Sequence, residues 1–411
     1  MSERMLDLLE NVDESLILEA DIQEKRRFSW LIPVLACAVF IASFSWRSLH
    51  AFIPNTMTVY AAYHSPAENE GQGIVDYIME DYEYEAWRQD YQKLLQASLN
   101  IQDDMTAYYQ EVIPVLLKEN DAVSPLSLYF SLGSIAQISE GESREEILNL
   151  LHAENLRNLQ KKVNALWNAN DLSNPALTCR LNASLVLSED AVWNERILKA
   201  LQSNYHVSSY VEGDGDIILN SSMEFKSQWF LQSLDVSTVE FSNGDVKEAV
   251  GVSCSCMETE TFEAGETILG ADGWHMRFIV PEEGVSFEEV LADPAVYGSM
   301  EEGDVKNMII PCFEVTEDSE LSQSLKTLGV EKIFAEDSGN FSSFTEENVK
   351  IKSVSENLTL TVDQNGVGGA VYERIPAGLG AIEGIFTVDR PFIYMITAAD
   401  GSILYAGIYR G

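Results

Sequence analysis

The sequence predicts an α+β fold built around one large domain, and three observations carry that prediction. Helical stripes of apolar residues come first after about residue 101, strand-like alternation and tight turns come late, and no internal repeat relates the two regions. At 411 residues with 46% apolar composition, the chain is able to bury a sizeable core.

In chain order, the first element is the run FSWLIPVLACAVFIASFSW at residues 28–46. It carries no charge and approaches the roughly 20 apolar residues that a helix needs to cross a bilayer core. Lys25, Arg26 and Arg27 precede it and only Arg47 follows. The positive-inside bias therefore expects residues 1–27 as a cytoplasmic tail, residues 28–46 as a single-pass membrane anchor and everything after 47 outside the cell. A signal peptide cut after Ala36 or Ala42, or a lipoprotein signal at Val34-Leu35-Ala36-Cys37, fits less well. The preceding segment is long and net acidic, and the apolar run continues past Cys37. Residues 47–100 are rich in Tyr, Glu and Asp and broken by Pro54, Pro66 and Gly71-Gln72-Gly73. They read as an extracellular tether, with a helix across Glu85 to Leu99.

Residues 101–411 read as the folded domain. Tyr108-Tyr109, Val112 and Val115-Leu116-Leu117 make the apolar face of one helix, and Ser143-Arg144-Glu145-Glu146 has the form of a capping box before Ile147-Leu148 and Leu150-Leu151. Leu321, Leu325 and Leu328 form a stripe that Gly329 ends. Strands are expected at Met308-Ile309-Ile310, along Leu358 to Val362, and from Phe392 to Ile396, turning at Asp400-Gly401 into Ile403-Leu404-Tyr405. The late strands favour antiparallel sheets.

The formal charge of −40, from 66 acidic against 26 basic residues, argues against nucleic acid as a partner, because phosphate contacts need clustered Lys and Arg. The acidic excess reads as a well-solvated surface. Five cysteines are too few and too scattered for a disulfide framework. Cys254 and Cys256 are the one close pair; with no second thiol or histidine pair to complete a tetrahedral set, they read as small buried side chains. The five histidines fall in no H-E-x-x-H, and no G-x-S-x-G elbow is present. Gly368-Gly369 and Gly378 to Gly380 mimic a phosphate loop superficially, but Pro376 lies between them and a strand follows in place of the helix such a loop requires. No catalytic residue, metal or cofactor is expected.

Residues 101–411 resemble the serpin family, through motifs that occur in the family's order. Val362-Asp363-Gln364-Asn365-Gly366 resembles the hinge that opens the family's exposed loop, and Phe386-Thr387-Val388-Asp389-Arg390-Pro391-Phe392 the F-x-V-D-R-P-F signature that closes it. Asn120-Asp121-Ala122-Val123-Ser124-Pro125-Leu126-Ser127 is similar to the helix start where the central sheet parts. Asn182 to Leu187 resembles a strand of that sheet, Ile217 to Asn220 the next, and Phe225-Lys226-Ser227-Gln228-Trp229 its F-K-x-x-W end. Pro311-Cys312-Phe313 and Asn340-Phe341-Ser342 follow in family order.

The resemblance implies helices clustered around a large central β-sheet, smaller antiparallel sheets and an exposed reactive loop near the C-terminus. It implies a suicide substrate: a serine or cysteine protease cuts the loop, forms an acyl-enzyme, and is dragged as the cut loop enters the sheet as a new strand. The other function open to the fold is a non-inhibitory surface binding module. The family's loop length, counted from both ends, places the scissile bond between Gly380 and Ala381, with Leu379–Gly380 as the alternative. The implied partner is a protease that accepts small or apolar residues, elastase-like or subtilisin-like. Hinge residues are Gly366, Val367, Gly368, Gly369, Ala370 and Val371; sheet opening falls to Asn120, Ser124 and Ser127.

Three features depart from the family pattern. Only residues 212–216 separate two strand-like segments where the family has a long helix. Glu356 and Asn357 stand where the family usually has His and Lys. Strand alternation from Val367 turns Gly369, Val371, Glu373 and Ile375 inward, and both a buried Glu373 and a Pro376 in a central strand oppose insertion.

Overall fold

The computed structural model describes residues 82–411 apart from 174–176, 213–215, 231, 235, 271–272, 299, 301–303, 336–340 and 370–381. The apolar run 28–46, the hinge residues Ala370 and Val371, and the scissile-bond candidates Leu379, Gly380 and Ala381 lie outside the described residues. Among the described residues, no helix is long and apolar enough to cross a membrane.

Helix α1 spans Tyr82–Leu99 and α2 Gln102–Leu116. The short strand β1 (Ala122–Val123) leads into α3 (Pro125–Ile138), α4 (Gly141–Leu150) and α5 (Leu156–Asn170). Next come β2 (Leu172–Ser173), β3 (Leu177–Leu187), α6 (Glu195–Tyr205), β4 (Val207–Val211) and β5 (Ile217–Gln228). A strand-rich stretch follows: β6 (Gln232–Leu234), β7 (Thr238–Glu240), β8 (Val246–Glu258), β9 (Phe262–Leu269) and β10 (Trp274–Pro281). After α7 (Phe287–Leu291) come β11 (Asp304–Pro311), β12 (Phe313–Glu320) and α8 (Ser322–Thr327). The chain closes with β13 (Ile351–Val362), β14 (Gly366–Val367), β15 (Ile385–Thr387), β16 (Phe392–Thr397) and β17 (Ile403–Tyr409).

The α+β class expected from the sequence is what the elements form. Two sheets hold the strands: β12-β13-β14-β5-β3-β2 with β4 on β3, and β1-β17-β16-β10-β9-β8-β11-β15 with β6 and β7 on β8. The first, seven-stranded sheet is mixed rather than antiparallel, since β13 lies parallel to β5 and β3 to β4. Parallel neighbours need long crossovers, and both pairs have them, through α6 in one case and most of the second sheet in the other.

Helix α3 is the centre of the core because its sequence is apolar or small all round. Ser124 caps it by accepting the Ser127 N–H at 3.3 Å, Pro125 takes its first turn, and every residue but Gln137 is buried. Gly133 admits the ring of Tyr205: a Cβ there would lie 3.2 Å from it. The helix expected across Glu85 to Leu99 is present as α1 and packs on this body. Tyr91 donates to the carbonyl of Ala169 at 3.1 Å, Leu95 is buried, and Ser98 donates to buried Asp400. Packing thus reaches Tyr91, upstream of residue 101.

The capping box expected at Ser143 does not form. Helix α4 starts two residues earlier, at Gly141, with Ser143 already inside its first turn. Glu146 instead accepts the N–H groups of Glu331 and Lys332 at 2.9 and 2.8 Å. A long-range partner outbid the local cap. The turn at Asp400-Gly401 forms as expected, with Gly401 at φ +87°.

Strands β5 and β3 of the seven-stranded sheet alternate over most of their length. Ser221, Met223, Phe225 and Ser227 of β5 face the core, while Asn220, Ser222, Glu224 and Lys226 face outward. On β3 the outward set is Thr178, Arg180, Asn182, Ser184 and Val186, polar but for the last. This polar outer face matches the brevity of the 212–216 link between β4 and β5.

Candidate functional site: the parting of the seven-stranded sheet

Strands β13 and β5 pair in parallel from Ile351–Ile217 up to Asn357–Ser222. Above that rung, among the described residues, only β14 joins them: Val367 pairs with Val362 on one side and with Ser227 on the other, and Gly366 pairs with Gln228. Leu358 to Thr361 and Met223 to Lys226 are thus the flanks of a slot whose top the hinge has entered. Val367 is fully buried there, as its inward parity required.

The hinge fits because its residues lack side chains at two points of close approach. A Cβ on Gly366 would lie 2.1 Å from the Ser227 carbonyl oxygen, and one on Gly368, at φ +74°, 1.9 Å from that of Phe225. Gly368 also donates to the Thr361 carbonyl at 2.7 Å. Asp363 folds the turn before it, its Oδ1 accepting the N–H groups of Asn365 and Gly366 at 2.7 and 3.1 Å. Trp229, which ends the F-K-x-x-W motif, clamps the turn: its indole N–H donates to the Asp363 carbonyl at 2.9 Å and its backbone N–H to Asn365 at 3.2 Å.

At the foot of the slot sits Glu356. It pairs with Ser221 across the next-to-last β13–β5 rung, and only 1% of it is exposed. Its Oε2 accepts the N–H of Ser124, the N-cap of α3, at 2.8 Å, while Oε1 has no hydrogen-bond partner among the described residues. Burial pushes the carboxyl up to about 8, against a smaller opposing pull from the Ser124 amide and the Ser221 hydroxyl. Glu356 is therefore mainly neutral at neutral pH. The phenols of Tyr108 and Tyr405 lie within its electrostatic reach and are themselves raised by burial.

Of the residues expected at sheet opening, Ser124 is tied to the slot, through Glu356 and through its hydroxyl, 4.0 Å from the Met223 sulfur. Ser127 is buried behind it, with its N–H on Ser124 and its own hydroxyl without a partner among the described residues. Asn120 serves a different end, donating Nδ2 to the Leu116 carbonyl at the close of α2 at 2.8 Å. Asn357 is exposed and donates to Asp318 at 2.6 Å.

The far end of the loop returns beside β11. Asn307 donates Nδ2 to the Ile382 carbonyl at 3.1 Å and its backbone N–H to Gly384, and β15 then pairs in parallel with β11. Phe386 fills space that Gly265 leaves open, since a Cβ there would lie 2.7 Å from its ring. Phe392 continues into an aromatic cluster with Phe313, Tyr394 and Tyr409, at centroid distances of 5.5, 6.5 and 5.3 Å.

Comparison with known proteins bears on this arrangement. A family model described as serpin (serine protease inhibitor) matches residues 259–410. A solved structure of Serpin48 from the insect Tenebrio molitor superposes with a TM-score of 0.66 at 18% identity, covering 74% of this chain and 97% of that one. The fold is the serpin fold. Human thyroxine-binding globulin, solved in complex with thyroxine, superposes at TM-score 0.65 and 15% identity, covering 77% of this chain and 98% of that one. Among curated proteins, rabbit (Oryctolagus cuniculus) heparin cofactor 2 is 23% identical over 56% of this chain and 48% of its own length. The chain thus spans about half the length of the curated relatives it matches.

Two parts of this serpin slot were not picked out from the sequence as site residues. The buried Glu356 was legible in principle, because it shares inward parity with Leu358, Leu360 and Val362. The Trp229 clamp was not, since nothing local links its indole to a carbonyl 134 residues away.

Proposed function

We propose that the protein is a cell-surface inhibitor of serine proteases that acts as a suicide substrate, held to the membrane through residues 28–46. The observation that carries the reading is the hinge itself: Gly366 and Val367 occupy the top of a slot between β13 and β5. A protease cutting at Gly380–Ala381, or at Leu379–Gly380, would form an acyl-enzyme and free the strip behind the hinge to continue downward. Continuing the Val367–Val362 and Val367–Ser227 register, Gly369 would meet Leu360 and Phe225, and Val371 would meet Leu358 and Met223. These side chains suit burial. Glu373 would then fall between Glu356 and Ser221, the first buried rung that insertion must break.

Two carboxyls meeting in an apolar setting must share a proton, and a shared proton would give the orphan Oε1 of Glu356 a partner. Insertion past Val371 would therefore take up or retain a proton. The partner is a protease accepting small or apolar residues, elastase-like or subtilisin-like, since Gly380, Ala381 and Leu379 flank the candidate bonds. Incubation with such a protease should give a complex that survives SDS, because the acyl bond is covalent. Clean cleavage into two fragments with no such complex would overturn the reading.

A second reading is a serpin-fold surface module that binds a partner without insertion. Glu373 and Pro376 favour it, because both oppose entry of a central strand. The likeness to a thyroxine-binding protein makes a binding role chemically reasonable for the fold.

A further inference from the structure

Strand β8 places Cys254 and Cys256 on one face, two residues apart, and their sulfurs touch at 3.3 Å. Both are buried, at 3% and 7% exposure. The Cys254 thiol also lies 3.5 Å from the carbonyl of Lys306, its partner on β11, while Cys256 pairs with Asp304, the first residue of that strand. The two thiols differ in acidity. The hydrogen bond between the two thiols and, less strongly, the nearby Lys306 ammonium lower the Cys256 thiol below its usual range despite its burial, while that same hydrogen bond and burial raise Cys254. Glu263 and Asp304 oppose the effect on Cys256, and Glu263 holds the Lys306 ammonium at 3.1 Å. One sulfur is thus the readier nucleophile and the other is held in contact with it as a resolving thiol.

We propose that Cys254 and Cys256 are a peroxide-sensitive dithiol that closes to a reversible disulfide within one strand. The Cys256 thiolate, its proton released to water, attacks one oxygen of hydrogen peroxide. The O–O bond breaks, hydroxide leaves and takes up a proton, and Cys256 becomes a sulfenic acid. The Cys254 sulfur then attacks the Cys256 sulfur, the S–O bond breaks, and water departs with the Cys254 proton. Two thiols and one peroxide become one disulfide and two waters. An extended strand separates i and i+2 Cα atoms by about 6.6 Å, at the upper edge of the roughly 4.4–6.8 Å that disulfides span. The bond formed is strained, and strained disulfides are readily reduced again. The site lies next to Asn307, which holds the returning end of the loop. The proposal does not depend on whether the loop inserts.

The test uses the full-length protein, treated with stoichiometric hydrogen peroxide, quenched in acid, alkylated in denaturant and digested. The peptide carrying residues 254–256 should lose the mass of two hydrogens and both alkyl groups, and recover both after dithiothreitol, while Cys179 and Cys312 stay alkylated. In Cys254→Ser, peroxide should leave a sulfenic acid at Cys256 that dimedone traps; in Cys256→Ser, Cys254 should remain a thiol. Alkylation of both residues after peroxide treatment, or oxidation of Cys256 to sulfinic acid with no disulfide in the wild type, would overturn the proposal.

Discussion

Glu356 of β13 reaches from the seven-stranded sheet to the Ser124 N–H at 2.8 Å, joining a strand that flanks the slot to the N-terminus of α3. The bond sits at the foot of the slot whose top the hinge occupies. A carboxyl, rather than a neutral ring, at this junction ties the closed sheet to protonation.

The first expectation concerns pH and stability. In the unfolded chain a glutamic acid ionises near 4.5, whereas burial holds the Glu356 proton to about 8. As pH rises through that window the unfolded chain releases its proton first, so stability present below 4.5 is lost progressively up to about 8. The loss is bounded at about 5 kcal/mol, from roughly 1.4 kcal/mol for each pH unit of separation. Glu356→Gln should raise the melting temperature at pH 8 and flatten its pH dependence between 5 and 8. The comparison with wild type cancels the general relief of acidic repulsion. A variant with the same pH slope as wild type would remove Glu356 from the account.

Hinge glycines give the second. Gly368→Val places side-chain atoms where the Phe225 carbonyl already lies 1.9 Å from a bare Cβ, in a backbone conformation that β-branched residues avoid. The hinge should leave the slot, with faster amide exchange at Val367 and Gly368. If the protein inhibits, the variant should shift from trapping protease to being cleaved as a substrate, by tenfold or more.

The third follows from the Trp229 clamp. Trp229→Phe keeps most of the ring and removes the donor to the Asp363 carbonyl. The loss should be about 1 kcal/mol, as expected for a hydrogen bond to a half-buried carbonyl that water can partly replace, and the turn at 363–366 should become a site of limited proteolysis. Unchanged stability and unchanged nicking would mean that the indole bond does not hold the hinge.

Glu373 supplies the fourth. If insertion carries Glu373 to the Glu356 rung, Glu373→Thr should speed formation of the protease complex at neutral pH and reduce the acceleration that acid gives the wild type. An unchanged or slower rate would mean that this side chain does not limit insertion.

Much of this architecture was legible in the sequence for a physical reason: a strand with one face buried alternates, as β13 does, strands buried throughout are continuous apolar runs, as β16 and β17 are, and the start of α3 carries a recognisable motif. The order of the loop motifs located both ends of the loop, and with the hinge the top of the slot. What was not legible depended on contacts between distant segments. Glu146 abandoned its expected cap for the backbone of Glu331 and Lys332, and Trp229 found Asp363 only once β5 and β13 lay side by side. Glu356 could be noticed as an unexpected residue, but its unpaired oxygen exists only where α3, β5 and β13 meet.

The most direct test of the central claim is the melting temperature of the soluble domain before and after a single cut between Leu379 and Ala381. If the freed strip enters the slot, it adds new ladder hydrogen bonds of roughly 0.5–1.5 kcal/mol each and buries Val371. The cut protein should then melt at least about 10 °C higher than the uncut one. Equal or lower melting after a clean cut would contradict the account.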